Sequence, residues 1–132
     1  MKLISRETDY CLRALLYLAK DKERVVPVSE LVRSLKIPRP FLRKILQILN
    51  KRGILASQKG VGGGFRLAVA PKDLYLLDVA AIFQGKMKLN ECLFKKKVCP
   101  NIRECRLKRE LDNIEKYALK RLQSISIADL LK

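Results

Sequence analysis

Two prolines and a glycine bracket one short helix in this chain: Lys36-Ile37-Pro38-Arg39-Pro40 precedes it and Gly53 follows it. Proline lacks a backbone donor and is tolerated only in a helix's first turn, and glycine is favoured just past a helix end. A helix therefore begins near Arg39 or Pro40 and stops at about Lys51. Upstream, Ser29 is placed to cap a helix from Glu30 to about Leu35, with Leu31, Val32 and Leu35 facing inward. Downstream, Ile54–Gln58 and Phe65–Val69 have strand character and flank Lys59-Gly60-Val61-Gly62-Gly63-Gly64, a hairpin turn. Helix, turn, helix, hairpin is the order of a winged helix-turn-helix. The glycine run lacks the G-x-x-x-x-G-K-[ST] pattern and leads into a strand, which argues against a nucleotide phosphate loop.

The helix over 39–51 divides its chemistry cleanly. Leu42, Ile45, Leu46, Ile48 and Leu49 form an apolar face, and Arg39, Arg43, Gln47 and Lys51 recur every four residues opposite, with Lys44 and Asn50 alongside. Cations suit phosphates, and Arg, Lys, Gln and Asn suit base edges in a major groove. The same stripe would also suit a plain solvated face. The charge of the whole chain tips the reading: 29 Lys and Arg against 13 Asp and Glu give a formal +16, spread over both halves. Such a field gathers polyanions, so DNA or RNA is the leading partner and an acidic membrane surface the second, and the helix-turn-helix order makes double-stranded DNA the expected one. The expected base contacts are Arg43, Lys44 and Gln47, the phosphate contacts Arg39, Lys51 and Arg66, and Lys59 on the wing reaches the minor groove.

The remaining segments frame this module. Ser5 can cap a first helix reaching about Lys20, whose stripe includes Tyr10, Cys11, Ala14, Leu15 and Leu18, so Cys11 reads as core. Asp78 is placed to cap a brief helix, Val79 to Gln84, closed by Gly85. A long helix from about Arg103 to Gln123 carries Leu107, Leu111, Ile114, Ala118 and Leu122 as a narrow seam among charges, which a two-fold partner would cover. Ser126 to Asp129 starts a last short helix with a capping box. The predicted fold is mainly α with a small β-hairpin: a winged helix-turn-helix over 1–85, a cysteine-bearing loop over 86–105, and a dimerisation helix with a short terminal helix over 106–132. No stretch has signal-peptide or membrane-span character, so the expected setting is the cytoplasm, with no membrane partner.

Three of the four cysteines, Cys92, Cys99 and Cys105, fall in that loop. Two short spacers let three thiolates converge on a metal centre, and an odd count argues against closed disulfides. Zinc sites favour paired C-x(2-4)-C knuckles or mixed Cys and His, neither of which occurs, so zinc is the runner-up. Reversible thiol oxidation without metal is a further alternative, since Lys95, Lys96, Lys97 and Arg106 stand beside the thiols. Catalysis is disfavoured: the chain has no histidine and no evident acid–base pair. A metal-free adaptor whose long helix binds another protein is the remaining class.

Met1-Lys-Leu-Ile-Ser5, Thr8-Asp9-Tyr10-Cys-Leu-Arg-Ala-Leu-Leu-Tyr-Leu-Ala19, the helix-turn-helix, the Gly60-Val-Gly-Gly-Gly-Phe65 wing and the spaced cysteines together resemble the IscR/NsrR-type (Rrf) family of bacterial iron-sulfur transcription regulators. The resemblance spans nearly the whole chain. It implies a dimeric regulator, a repressor in the simplest case, that binds palindromic promoter sites, with an iron-sulfur cluster on Cys92, Cys99 and Cys105. IscR-type relatives supply a histidine three residues after the last cysteine; here that residue is Lys108. NsrR-type relatives supply a carboxylate from the partner's first helix, and Asp9 stands at the matching place. Glu7, Glu91, Glu104, Cys11 and a small molecule are the other candidates for the fourth ligand. Loss of the histidine set favours a 4Fe-4S over a 2Fe-2S cluster, and an oxygen ligand would leave one iron open to NO, oxygen or loss.

Overall fold

The computed structural model describes residues 3–88 and 105–131. Cys92, Cys99, Glu91, Glu104 and most of the 86–105 loop lie outside the described residues. Among those described, six α-helices and one two-stranded antiparallel hairpin form the winged helix-turn-helix with a long helix after it.

Helix α1, Arg6–Ala19, starts where the Ser5 hydroxyl accepts from the Thr8 N–H at 3.2 Å, and it buries Thr8, Cys11, Ala14, Leu15 and Leu18. Helix α2 runs Val28–Leu35, two residues earlier than the Glu30 start that Ser29 suggested, with Pro27 at the N-cap and no side-chain cap. The Pro27 carbonyl takes the N–H groups of Glu30 and Leu31 at 3.1 and 3.3 Å, so the proline's fixed extended geometry starts the helix and leaves Ser29 inside it. Lys36 ends α2 in the left-handed region, φ 56°, and its N–H reaches the Val32 carbonyl. Ile37 is buried.

Helix α3 covers Arg39–Lys51 and buries Leu42, Ile45, Leu46 and Leu49; Ile48 is only half-buried. Its end is a Schellman motif, Ile54 N–H to Leu49 at 3.0 Å and Gly53 N–H to Asn50 at 3.1 Å, with Gly53 at φ 76°. That turn aims the chain into β1, Leu55–Gln58, which pairs with β2, Gly64–Leu67, in the register Leu55↔Leu67 and Gln58↔Gly64. Val61 stands fully exposed at the tip.

A 3-10 turn, Pro71–Asp73, leads to α4, Leu76–Gln84, which starts before the position Asp78 implied. Tyr75, its N-cap, is paired with Ser126, the Leu76 N–H donating to Ile125 at 2.9 Å and the Ile127 N–H to Leu74 at 2.8 Å. That ladder fixes the backbone and so the helix start; Asp78 lies exposed in the first turn. Gly85 closes α4 at φ 68°. Helix α5, Arg106–Gln123, begins later than the expected Arg103, because Cys105 is its extended N-cap. Helix α6, Ile127–Leu130, opens on the expected capping box of Ser126 and Asp129 and inserts Ile127 into the core.

The core is leucine-rich: Leu15, Leu18, Leu31, Leu42, Leu46, Leu49, Leu55 and Leu67 are essentially inaccessible, joined by Val79 and Ile127. Each buried side chain of this size contributes about 1.5–3 kcal/mol from desolvation, and α3 supplies three of them. The reading helix is therefore anchored on one side and free on the other.

Candidate nucleic-acid interface and cysteine site

Burial of the leucine face of α3 presents Arg39, Arg43 and Gln47 on one stripe. These three line a cleft of about 270 Å³ whose floor is Val28, the first residue of α2, and Phe65 on β2. Lys44 points elsewhere: with Phe41, Ile45 and Ile48 of α3 it lines a second cleft of about 340 Å³ against Arg6, Glu7 and Tyr10 of α1 and Ile82 and Phe83 of α4. Lys51 is exposed in the last turn of α3, where a cation suits the helix dipole. Lys59 is exposed at the entry to the wing turn. Arg66 sits half-buried opposite Ala56, and strand alternation puts it on the hairpin face away from Phe65 and Leu67. The structure thus brings Arg39, Arg43 and Gln47 together, with Lys44 on another flank of the same helix.

The wing is held close to the helices. Val26 and Phe65 exchange two backbone hydrogen bonds, and a Cβ on Gly64 would stand 2.1 Å from the Val26 carbonyl oxygen. Tyr17 and Arg24 both bond Glu30, the tyrosine hydroxyl at 2.7 Å, so the linker before Val26 is tied to α2. The Arg24 guanidinium, followed by the Tyr17 hydroxyl, holds the Glu30 carboxyl below its ordinary range. Val28 and Phe65 were not among the residues expected at the interface, because a valine and a strand phenylalanine carry only core signals in sequence.

Of the three cysteines expected as ligands, Cys105 is described. It is half-buried, and its Sγ accepts from the Lys108 N–H at 3.4 Å at the positive end of an 18-residue helix, where an anionic donor is favoured. Cys11 is fully buried in α1, and desolvation pushes its thiol well above the usual range, so it is a core residue unsuited to ligation. The Asp9 carboxylate is partly exposed and paired with Arg13 at 3.0 Å. Just before it lies a polar latch that sequence did not signal: Gln84 Oε1 accepts from the Ser5 N–H at 2.9 Å and the buried Thr8 hydroxyl at 2.8 Å, and Gln84 Nε2 donates to the Leu3 carbonyl. It joins the start of α1 to the end of α4. Among the described residues no group of three or more His, Cys, Asp or Glu side chains converges.

The Rrf2 family model, described as an iron-dependent transcriptional regulator, matches residues 4–132. The chain belongs to the Rrf2 family. Rrf2 relatives include a candidate helix-turn-helix transcriptional regulator of Aquifex aeolicus, 40% identical over 74% of this chain and 67% of its own length. The regulator NsrR of Halalkalibacterium halodurans is 33% identical over 94% of this chain and 86% of its own. Among solved structures, CymR, the global cysteine regulator of B. subtilis, superposes with a TM-score of 0.82 over 99% of this chain and 97% of its own at 24% identity, a likeness of fold. As an Rrf2 protein the chain is a DNA-binding transcriptional regulator and not an enzyme. No helix among the described residues is long and apolar enough to cross a membrane.

Proposed function

We propose that the protein is a homodimeric regulator, acting as a repressor, whose affinity for palindromic promoter DNA is set by an iron-sulfur cluster. Helix α3 enters the major groove and the wing the adjacent minor groove. Arg43 and Gln47 meet base edges, Arg39, Lys51 and Arg66 meet phosphates, and Lys59 reaches the minor groove. Lys44, facing the second cleft, stands beside this stripe and reaches bases only from its flank.

The observation that carries the cluster reading is the place of Cys105, at the head of α5, a long helix with no residue buried within the protomer. In α5, Leu107, Ile114 and Tyr117 are 68, 55 and 74% exposed, which supports a second copy as their cover. A thiolate at that helix end links a metal centre to the dimer seam. The donor set fits an iron-sulfur group: Cys92, Cys99 and Cys105 would supply thiolates and Asp9 of the other subunit a carboxylate, with Cys11 ruled out by burial. When bound, a 4Fe-4S cluster supplies an iron that NO or oxygen can attack. The chain's own part is to hold Asp9 on α1 and Cys105 on α5, so that ligation state bears on the spacing of the two reading helices. That spacing must match about one helical turn, near 34 Å.

Anaerobic purification tests the reading. A brown protein with iron and sulfide near one cluster per protomer, whose DNA affinity changes with NO or oxygen, is the expected result. Mössbauer spectra should show one iron site altered in Asp9→Ala. A colourless, iron-replete preparation with unchanged DNA binding overturns it. A metal-free thiol switch is the second reading, favoured by the fold likeness to CymR, a cysteine regulator. It predicts full DNA response to oxidant in metal-free protein and loss of that response in Cys99→Ser.

A further inference from the structure

We propose that the cleft between α3 and the wing is a deoxyribose-binding notch, which makes the protein sensitive to the sugar of one nucleotide per protomer. This rests on the DNA-reading geometry above and adds a contact of a different kind. The notch has an apolar floor, Val28 and Phe65, and a polar rim of Arg39, Arg43 and Gln47. Its volume of about 270 Å³ corresponds to roughly nine liquid waters. That is room for one sugar ring and part of its phosphates.

Position decides which apolar part of DNA it meets. With α3 in one groove and the wing in the next, the strand that passes between them is the sugar–phosphate ridge. Along that ridge apolar sugar faces alternate with phosphate anions, the same alternation as the floor and rim of the notch. Thymine methyl groups, the other apolar feature of the duplex, line the groove floor beneath α3, away from a recess that opens toward the hairpin. The Arg39 guanidinium beside the apolar floor also complements the charge of the ridge, where most protein–DNA hydrogen bonds go.

The notch is built in advance of binding. Val26 lies two residues from Val28, and its two backbone bonds to Phe65 fix the distance between the floor's halves. Gly64 leaves no room for a Cβ against Val26, so the strand cannot slide without breaking those bonds. A 2′-hydroxyl pressed onto Val28 and Phe65 would lose its water against two apolar side chains. The expected penalty is about tenfold in affinity.

The test changes the DNA one sugar at a time and then the floor of the notch. A duplex selected by the wild-type protein from a random pool is resynthesised with single ribonucleotides at each position, and separately with deoxyuridine for each thymidine. One position per protomer should lose about tenfold on ribose substitution, its neighbours less than about twofold, and both Phe65→Ala and Val28→Ala should erase that loss. A ribose scan with no sensitive position overturns the proposal. So does a loss retained in both variants, which assigns the effect to altered duplex shape, and so does sensitivity confined to deoxyuridine, which assigns the floor to a thymine methyl. Failure of the wild type to select any duplex instead removes the DNA-reading geometry on which the notch depends.

Discussion

Val26 and Phe65 grip each other through two backbone hydrogen bonds, 2.8 Å from the Val26 N–H and 2.9 Å from the Phe65 N–H. The hairpin thus has a third, one-residue strand beside it, and the approach is close enough to dictate the neighbouring residue. Gly64→Ala would place a methyl 2.1 Å from the Val26 carbonyl oxygen, a backbone atom with nowhere to go. The variant should be about 1–3 kcal/mol less stable in urea melts and should lose the wing's share of DNA affinity. Unchanged stability would mean that the wing is not fixed to Val26.

Base and phosphate contacts separate by substitution. Arg43→Ala should lose about 1–3 kcal/mol on a selected site and little on random DNA, relaxing preference at one position. Lys51→Ala should weaken both alike and reduce the slope of affinity against salt by about one phosphate. Titrations at several salt concentrations read both effects, and identical behaviour of the two variants would sink the assignment.

The latch at Gln84 joins residues far apart in the chain. Gln84→Leu leaves the Ser5 N–H and the buried Thr8 hydroxyl without an acceptor, and should cost about 1–3 kcal/mol by denaturation. Thr8→Val removes a partner of similar shape and should cost less. Equal stability of Gln84→Leu and wild type would show the latch to be dispensable.

Glu30 gives the fold a pH dependence. Arg24 and then Tyr17 favour its charged form, so its folded pKa lies below the unfolded value of about 4.3. The stabilisation is fully present above that unfolded value and fades as pH falls through the folded one. Glu30→Gln should lower Tm at neutral pH, and the gap to wild type should close in acid; a gap that stays constant with pH would contradict the ion-pair account.

The seam of α5 predicts the assembly. Ile114→Glu puts a charge on an exposed apolar line while leaving the core untouched, because no residue of α5 is buried within the protomer. Sedimentation should show a dimer for wild type and a monomer, still folded by circular dichroism, for the variant. A monomeric wild type would refute the seam as an interface.

Much of the reading head was legible because its signals are local. Pro38, Pro40 and Gly53 punctuate α3, four-residue spacing collects Arg39, Arg43 and Gln47, and Gly60 to Gly64 mark the hairpin. The errors lie where a neighbouring proline or a distant partner overrides a good capping residue. Ser29 and Asp78 are good capping residues, yet α2 starts at Val28 on Pro27 and α4 at Leu76, because Tyr75 is paired with Ser126. Lys44 follows Arg43 in sequence, but a helix turns about 100° per residue, enough to carry it from one cleft to the other. Gln84 gave no hint of its role, since Thr8 and Ser5 meet it only in the folded chain.

The small ladder between Leu74–Leu76 and Ile125–Ile127 means that the chain leaves the core at α4 and comes back to the root of α4 after α5. Cys105 stands at one end of α5, and Ser126, just past the other end, is where the chain rejoins the root of α4. Helix α5 is in this respect moored rather than a free tail: its C-terminal end is tied to the root of α4, the helix that ends on Gln84 and the latch to α1.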